Sequence, residues 1–125
     1  MVRQERFQYQ MKNVLEAKTF LIARAAKRVF QQMEEKEMNA FQDALTKEFD
    51  AEHIKYRAAM DKTMHPETQA DYLCFGNMLV RTKTSKQLAE RDLWDLRKEL
   101  HRQNLSVGII VCFTGDGVDV KRLAV

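Results

Sequence analysis

Three histidines and two cysteines are the first places to look for chemistry in this 125-residue sequence. His53 follows Asp50 by three positions in "DAEHIKY". On a helix that spacing puts both side chains on one face, where they could share a metal ion. Helix-bundle di-metal centres use such a pair twice, with further carboxylates, and no second copy is present. His65 precedes Pro66, and His101 ends a polar stretch; neither has a Cys or His at ligand spacing. A partly solvated histidine is therefore the reading of His53, and no metal site or cofactor is expected. Cys74 lies in "YLCF" and Cys112 in "IIVCF". Apolar settings of that kind suit two buried, reduced thiols of a cytosolic protein better than a disulfide or a nucleophile.

Asp119-Val120-Lys121 resembles the short Asp-x-Lys piece of a large nuclease class. That piece needs a second carboxylate on a neighbouring strand, and Asp116 in the adjacent turn is poorly placed for it. "TGDG", residues 114–117, reads as a turn, because the P-loop and dinucleotide patterns are absent. No nucleophile elbow or Ser-His-Asp arrangement appears. These observations point away from an enzyme.

Charge says more. The chain holds 21 Lys and Arg against 18 Asp and Glu, a net charge of +3, but the balance is uneven. Residues 1–31 carry a net +5 and residues 32–62 a net −3. Arg24, Lys27 and Arg28 form one basic cluster, and Arg81, Lys83 and Lys86 a second. Such patches can neutralise phosphates, so nucleic-acid binding through the first helix is the alternative function. No helix-turn-helix, zinc-finger or RNA-recognition signature accompanies them.

The elements that would position these groups follow from periodicity. Residues 3–62 contain no Gly or Pro and are rich in strong helix formers. One apolar stripe runs Phe7, Met11, Val14, Leu15, Leu21, Ile22, Ala25, Val29, Met33. A second runs Met38, Phe41, Leu45, Phe49, then Tyr56 and Met60. Steps of three and four mark one helix face. The step from Met33 to Met38 is five, and "EEKE" fills it. Pro66 ends the helical pattern. "DYLCFGNMLVRTKT" reads as a hairpin about Gly76-Asn77, or as a helix over 67–80. A helix is expected over 86–103, with Thr84 and Gln87 as a capping box, Ala89, Leu93, Leu96 and Leu100 as its buried stripe, and Asn104 as its stop. The end, 106–125, reads as a β-hairpin turning at Gly115-Asp116-Gly117.

The fold class is therefore α+β: a long N-terminal helix, or antiparallel helical hairpin, over 1–62, then a small α/β unit over 67–125 with a C-terminal hairpin. A continuous helix of about 60 residues would be about 90 Å long, more than the rest of the chain can cover. The lack of Gly, Pro, Ser or Asp at 33–38 favours continuity. Phe7, Met11, Leu21, Val29, Phe41, Leu45 and Phe49 would then need a partner to bury them. The expected function is a non-enzymatic interaction protein: an oligomeric adaptor, an inhibitor or a small assembly subunit, such as a viral accessory protein. Its partner would be itself, as a dimer, or a larger protein. Charged residues are 31% of the chain and mean hydropathy is −0.51, with no apolar run long enough for a membrane span. A cytoplasmic location without membrane binding is the expectation.

Overall fold

The structure, a computed structural model, describes residues 2–33, 38–58, 69–84, 87–113 and 117–125, with side chains in the first helix from Val14 onward. In chain order the elements are α1 (Val2–Gln32), α2 (Met38–Ala51), β1 (Tyr56–Ala58), β2 (Gln69–Cys74), β3 (Met78–Thr84), α3 (Glu90–Arg102), β4 (Val107–Phe113) and β5 (Val118–Ala124). The class is α+β, with one five-stranded mixed sheet in the order β1-β2-β3-β4-β5. Neighbours are antiparallel except β3 and β4, which run parallel and are joined through α3.

The continuous rod does not form. α1 and α2 pack antiparallel, as the ion pairs Arg28–Glu48 and Arg24–Glu52 require. The reversal falls at the five-residue step between Met33 and Met38; its charged residues offer nothing to a core, and residues 34–37 themselves lie outside the described set. Folding back brings both apolar stripes onto one surface. Ile22, Ala25, Ala26 and Val29 of α1 and Phe41, Leu45 and Phe49 of α2 are buried against Tyr72, Cys74, Met78, Val80, Ile109, Val111 and Phe113 of the sheet. These strand residues alternate, as one face of a pleated sheet must.

Helix α2 also stops earlier than the stripe suggests. His53 takes a left-handed conformation, φ 60°. The His53 amide donates to the Asp50 carbonyl (3.2 Å) and the Ile54 amide to the Phe49 carbonyl (2.8 Å). That pair of bonds is a Schellman ending, sealed by Phe49 and Ile54, both in the core. Tyr56, expected on the helix, therefore lies in β1. Met60 and the break at Pro66 fall outside the described residues.

On the opposite face Leu79 and Ile110 meet Leu96 and Leu100 of α3, with Leu88, Leu93, Leu105 and Leu123 around them. Gly108 lets the helix sit close: a Cβ there would meet the Leu100 and Leu96 side chains at 3.1–3.2 Å. α3 begins at Glu90 rather than near 86, so the Thr84–Gln87 cap does not form. Instead the Ala89 amide donates to the Asp92 carboxylate at 2.9 Å. Of the expected stripe, Ala89 is exposed. The helix ends as predicted at Asn104, φ 56°, in a second Schellman pattern: Asn104 donates to the His101 carbonyl and Leu105 to that of Leu100.

The 71–82 segment is a hairpin, not a helix. Its turn places Phe75 (φ 57°) and Gly76 (φ 78°) in the central positions, one residue earlier than Gly76-Asn77, closed by the Asn77 amide on the Cys74 carbonyl.

Candidate functional site

Hairpin register builds the principal charged cluster. Asp71 stands opposite Arg81 on β2 and β3, on the face that α3 covers. Asp71 is only 1% exposed. The Arg81 guanidinium donates Nε to Asp71 Oδ1 (2.9 Å) and Nη2 to Oδ2 (3.0 Å), a two-pronged match that occupies both carboxylate oxygens. Two residues on, Lys83 projects from the same face and pairs with Asp92 of α3. Asp92 Oδ2 also accepts the Ala89 amide. Burial works against ionisation of Asp92, but the Lys83 ammonium and the Ala89 amide outweigh it and hold its pKa below the ordinary carboxylate value.

A folded-state pKa below the unfolded one means stability that is complete above the unfolded value and lost as pH falls through the folded one. The wild-type fold should therefore weaken below about pH 4 partly through this group. Asp92→Asn is expected to lower stability at neutral pH and to converge on wild type as the pH becomes strongly acid. Urea midpoints followed down the acid limb check this; a gap that stays constant with pH would remove the Lys83–Asp92 pair from the account.

Chemically the cluster is closed. Arg81, Lys83, Asp92, Asp95 and Ile110 enclose a space of only about 10 Å³, room for a single water at most. Carboxylates that serve as metal ligands or bases need free lone pairs facing a common space. Here Asp71 and Asp92 are engaged by the chain's own cations. Among the described residues no group of three His, Cys, Asp or Glu is placed to hold a metal ion. Asp50 and His53 line an open surface groove with Ile54, Lys55 and Tyr56, and His53 is used by the chain reversal described above.

The cysteines are free and buried. Burial pushes the Cys74 thiol up to about 12. Burial raises Cys112 as well, with the carboxylates of Asp92 and Asp119 adding to it. Both shifts disfavour the thiolate that a nucleophile needs. Asp119 stands opposite Cys112 on β4, a strand without a carboxylate, so the Asp-x-Lys piece lacks its companion there; Asp116 lies outside the described residues.

The residues expected to meet a partner are mostly spent internally. Val29, Phe41, Leu45 and Phe49 are in the core, and Leu21 packs against it. The side chains of Phe7 and Met11 lie outside the described set. Of the residues expected to meet nucleic acid, Arg24 bonds Glu52 and Arg28 bonds Glu48 and Glu52. Arg81 is buried, Lys83 is engaged by Asp92, and Lys86 lies outside the described residues. Lys27 remains exposed. Among the described residues, Arg24, Lys27 and Arg28 share one side of α1, and Arg81 and Lys83 are not gathered with them.

What sequence reasoning missed is Phe20, beside the Arg24, Lys27 and Arg28 cluster on the outer face of α1. Phe20 is 63% exposed, with the Arg24 guanidinium 5.8 Å from its ring centroid. Phe20, Ala23, Arg24, Lys27, Arg28 and Gln31 line a shallow groove of about 340 Å³ along one side of the helix. Phe20 falls outside both apolar stripes, and that was the available signal: a large aromatic on the charged side of an amphipathic helix. Comparison with known proteins finds no matching family model, no similar curated protein and no similar solved structure. No helix among the described residues is long and apolar enough to cross a membrane.

Proposed function

We propose that this chain is a non-enzymatic interaction module, an adaptor or small assembly subunit, that docks a protein partner on the outer face of α1. The observation that supports the reading is Phe20: a phenylalanine left mostly in water on a helix whose Ile22, Ala25, Ala26 and Val29 are buried against the sheet. Burying its remaining surface is worth about 1–2 kcal/mol. Exposed Lys27 on the same face favours an acidic group within an otherwise apolar partner surface. Pairing of Arg24 and Arg28 with Glu48 and Glu52 leaves this face with little net charge, which supports a protein over a phosphate backbone. Two buried reduced thiols suit the cytoplasm.

Phe20→Glu is expected to weaken capture of a partner from native extract about tenfold or more while leaving the circular dichroism spectrum and melting temperature unchanged. The wild-type complex should persist as salt rises, since apolar contacts do not weaken with salt. Capture of nucleic acid that is released steeply by salt, or equal capture by the variant, would overturn the reading.

A further inference from the structure

The sheet has one long edge, β5. Its inner side pairs with β4 along all seven residues, Val118–Ala124, and no described strand pairs with its outer side. The Val125 amide donates to the Ser106 carbonyl at 2.9 Å, which continues the same register. In an antiparallel ladder, alternate residues turn their amide and carbonyl inward. Leu123, Lys121 and Asp119 therefore face β4. Val118, Val120, Arg122 and Ala124 present backbone groups outward that are unpaired among the described residues.

We propose that this edge pairs with the same edge of a second copy, so that two chains share one continuous ten-stranded sheet across a two-fold axis at Val120. A continuous antiparallel sheet keeps each residue opposite one on the same face, so only alternate registers are open. Centring on Lys121 sets two lysines against each other; centring on Asp119 opposes two aspartates; centring on Arg122 opposes two arginines. Centring on Val120 sets Val120 against itself and Val118 against Arg122. It also sets Asp119 against Lys121 of the second copy, twice by symmetry. Asp119 and Lys121 then form non-hydrogen-bonded pairs, in which side chains approach most closely.

Charges on an edge strand ordinarily keep other chains away. Here their alternating signs reject an arbitrary strand and favour a second copy centred on Val120, the register that sets opposite charges against each other twice. Beside the edge, Leu88, Leu93 and Val120 line a groove of about 430 Å³ with Glu90, Asp119 and Lys121. The second strand and its own α3 would come against those leucines. This interface is separate from the Phe20 face of α1.

Sedimentation equilibrium of the full chain tests it. Wild type is expected at twice the 14.7 kDa chain mass. Val120→Pro removes an outward amide, a change an edge strand tolerates, and is expected to give a monomer that still unfolds cooperatively, its melting point lowered only by the lost packing of Val120. Asp119→Lys is expected to weaken association about tenfold or more, through two like-charge oppositions. Adding Lys121→Asp to that variant reverses both charges and is expected to restore the wild-type mass. Phe20→Glu should leave the mass unchanged, so loss of partner capture and loss of the dimer are read separately. A wild type that stays monomeric at every concentration, a Val120→Pro dimer, or a charge-reversed pair that fails to recover would each overturn the proposal.

Discussion

Replacing Arg81 by methionine is expected to lower the unfolding free energy by about 3–5 kcal/mol. The effect is large because of what stays behind. Asp71 is 1% exposed, and each of its carboxylate oxygens accepts a charge-assisted bond from this one guanidinium. Without it the carboxylate must stay charged in a dry setting, take up a proton, or drag water under α3. Methionine is chosen because it keeps most of the arginine stem, so lost packing is small. The companion Arg81→Met with Asp71→Leu should recover most of the loss, since replacing a whole buried pair with apolar groups is often neutral. Urea unfolding of both variants measures the difference. A single variant within about 1 kcal/mol of wild type would mean that Asp71 already reaches solvent.

Leu45→Asp is expected to abolish cooperative folding. Leu45 is fully buried on the inner face of α2. Emptying such a site costs about 2–5 kcal/mol, and the new carboxylate adds the penalty of an unpaired buried charge, with no described cation on that face to meet it. The sum is comparable to the whole stability of a small domain, about 5–15 kcal/mol. Far-UV circular dichroism and a thermal scan decide it. A variant that keeps a sharp transition but changes mass would return Leu45 to an interface between molecules. That outcome separates this position from Phe20, whose substitution should alter binding alone.

Much of the C-terminal half was legible because its signals are local. The hairpin at 107–124 announces itself as a β-branched run about a turn, and Asn104 marks a helix end by its tolerance of positive φ; the segment at 69–84 stays open between hairpin and helix, because short apolar runs fit both. The N-terminal half was harder for a physical reason. An apolar stripe reports that a face is buried, not what buries it. Phe41, Leu45 and Phe49 read equally well against another molecule or against a sheet formed some 30–60 residues later. The reversal between α1 and α2 carries no Gly or Pro, and α2 ends through a histidine in a conformation that non-glycine residues seldom adopt. The three residues of β1 are too short for any periodicity. The Asp71–Arg81 pair was readable in principle, since a three-residue connection over 75–77 places residues 71 and 81 opposite each other. It needed the hairpin settled first. The open edge of β5 could not be read from its residues, because strand order is a property of the whole sheet.

The separation of the helices from the strands that cover them has a consequence for synthesis. Phe49 leaves the ribosome before Phe113 exists, and at about 5–20 residues per second the wait is roughly 3–13 s. For that interval the helical pair is a nascent chain with a bare greasy side. Chaperone contact should therefore concentrate on ribosome-bound fragments ending before β4, and vanish once the last strand emerges.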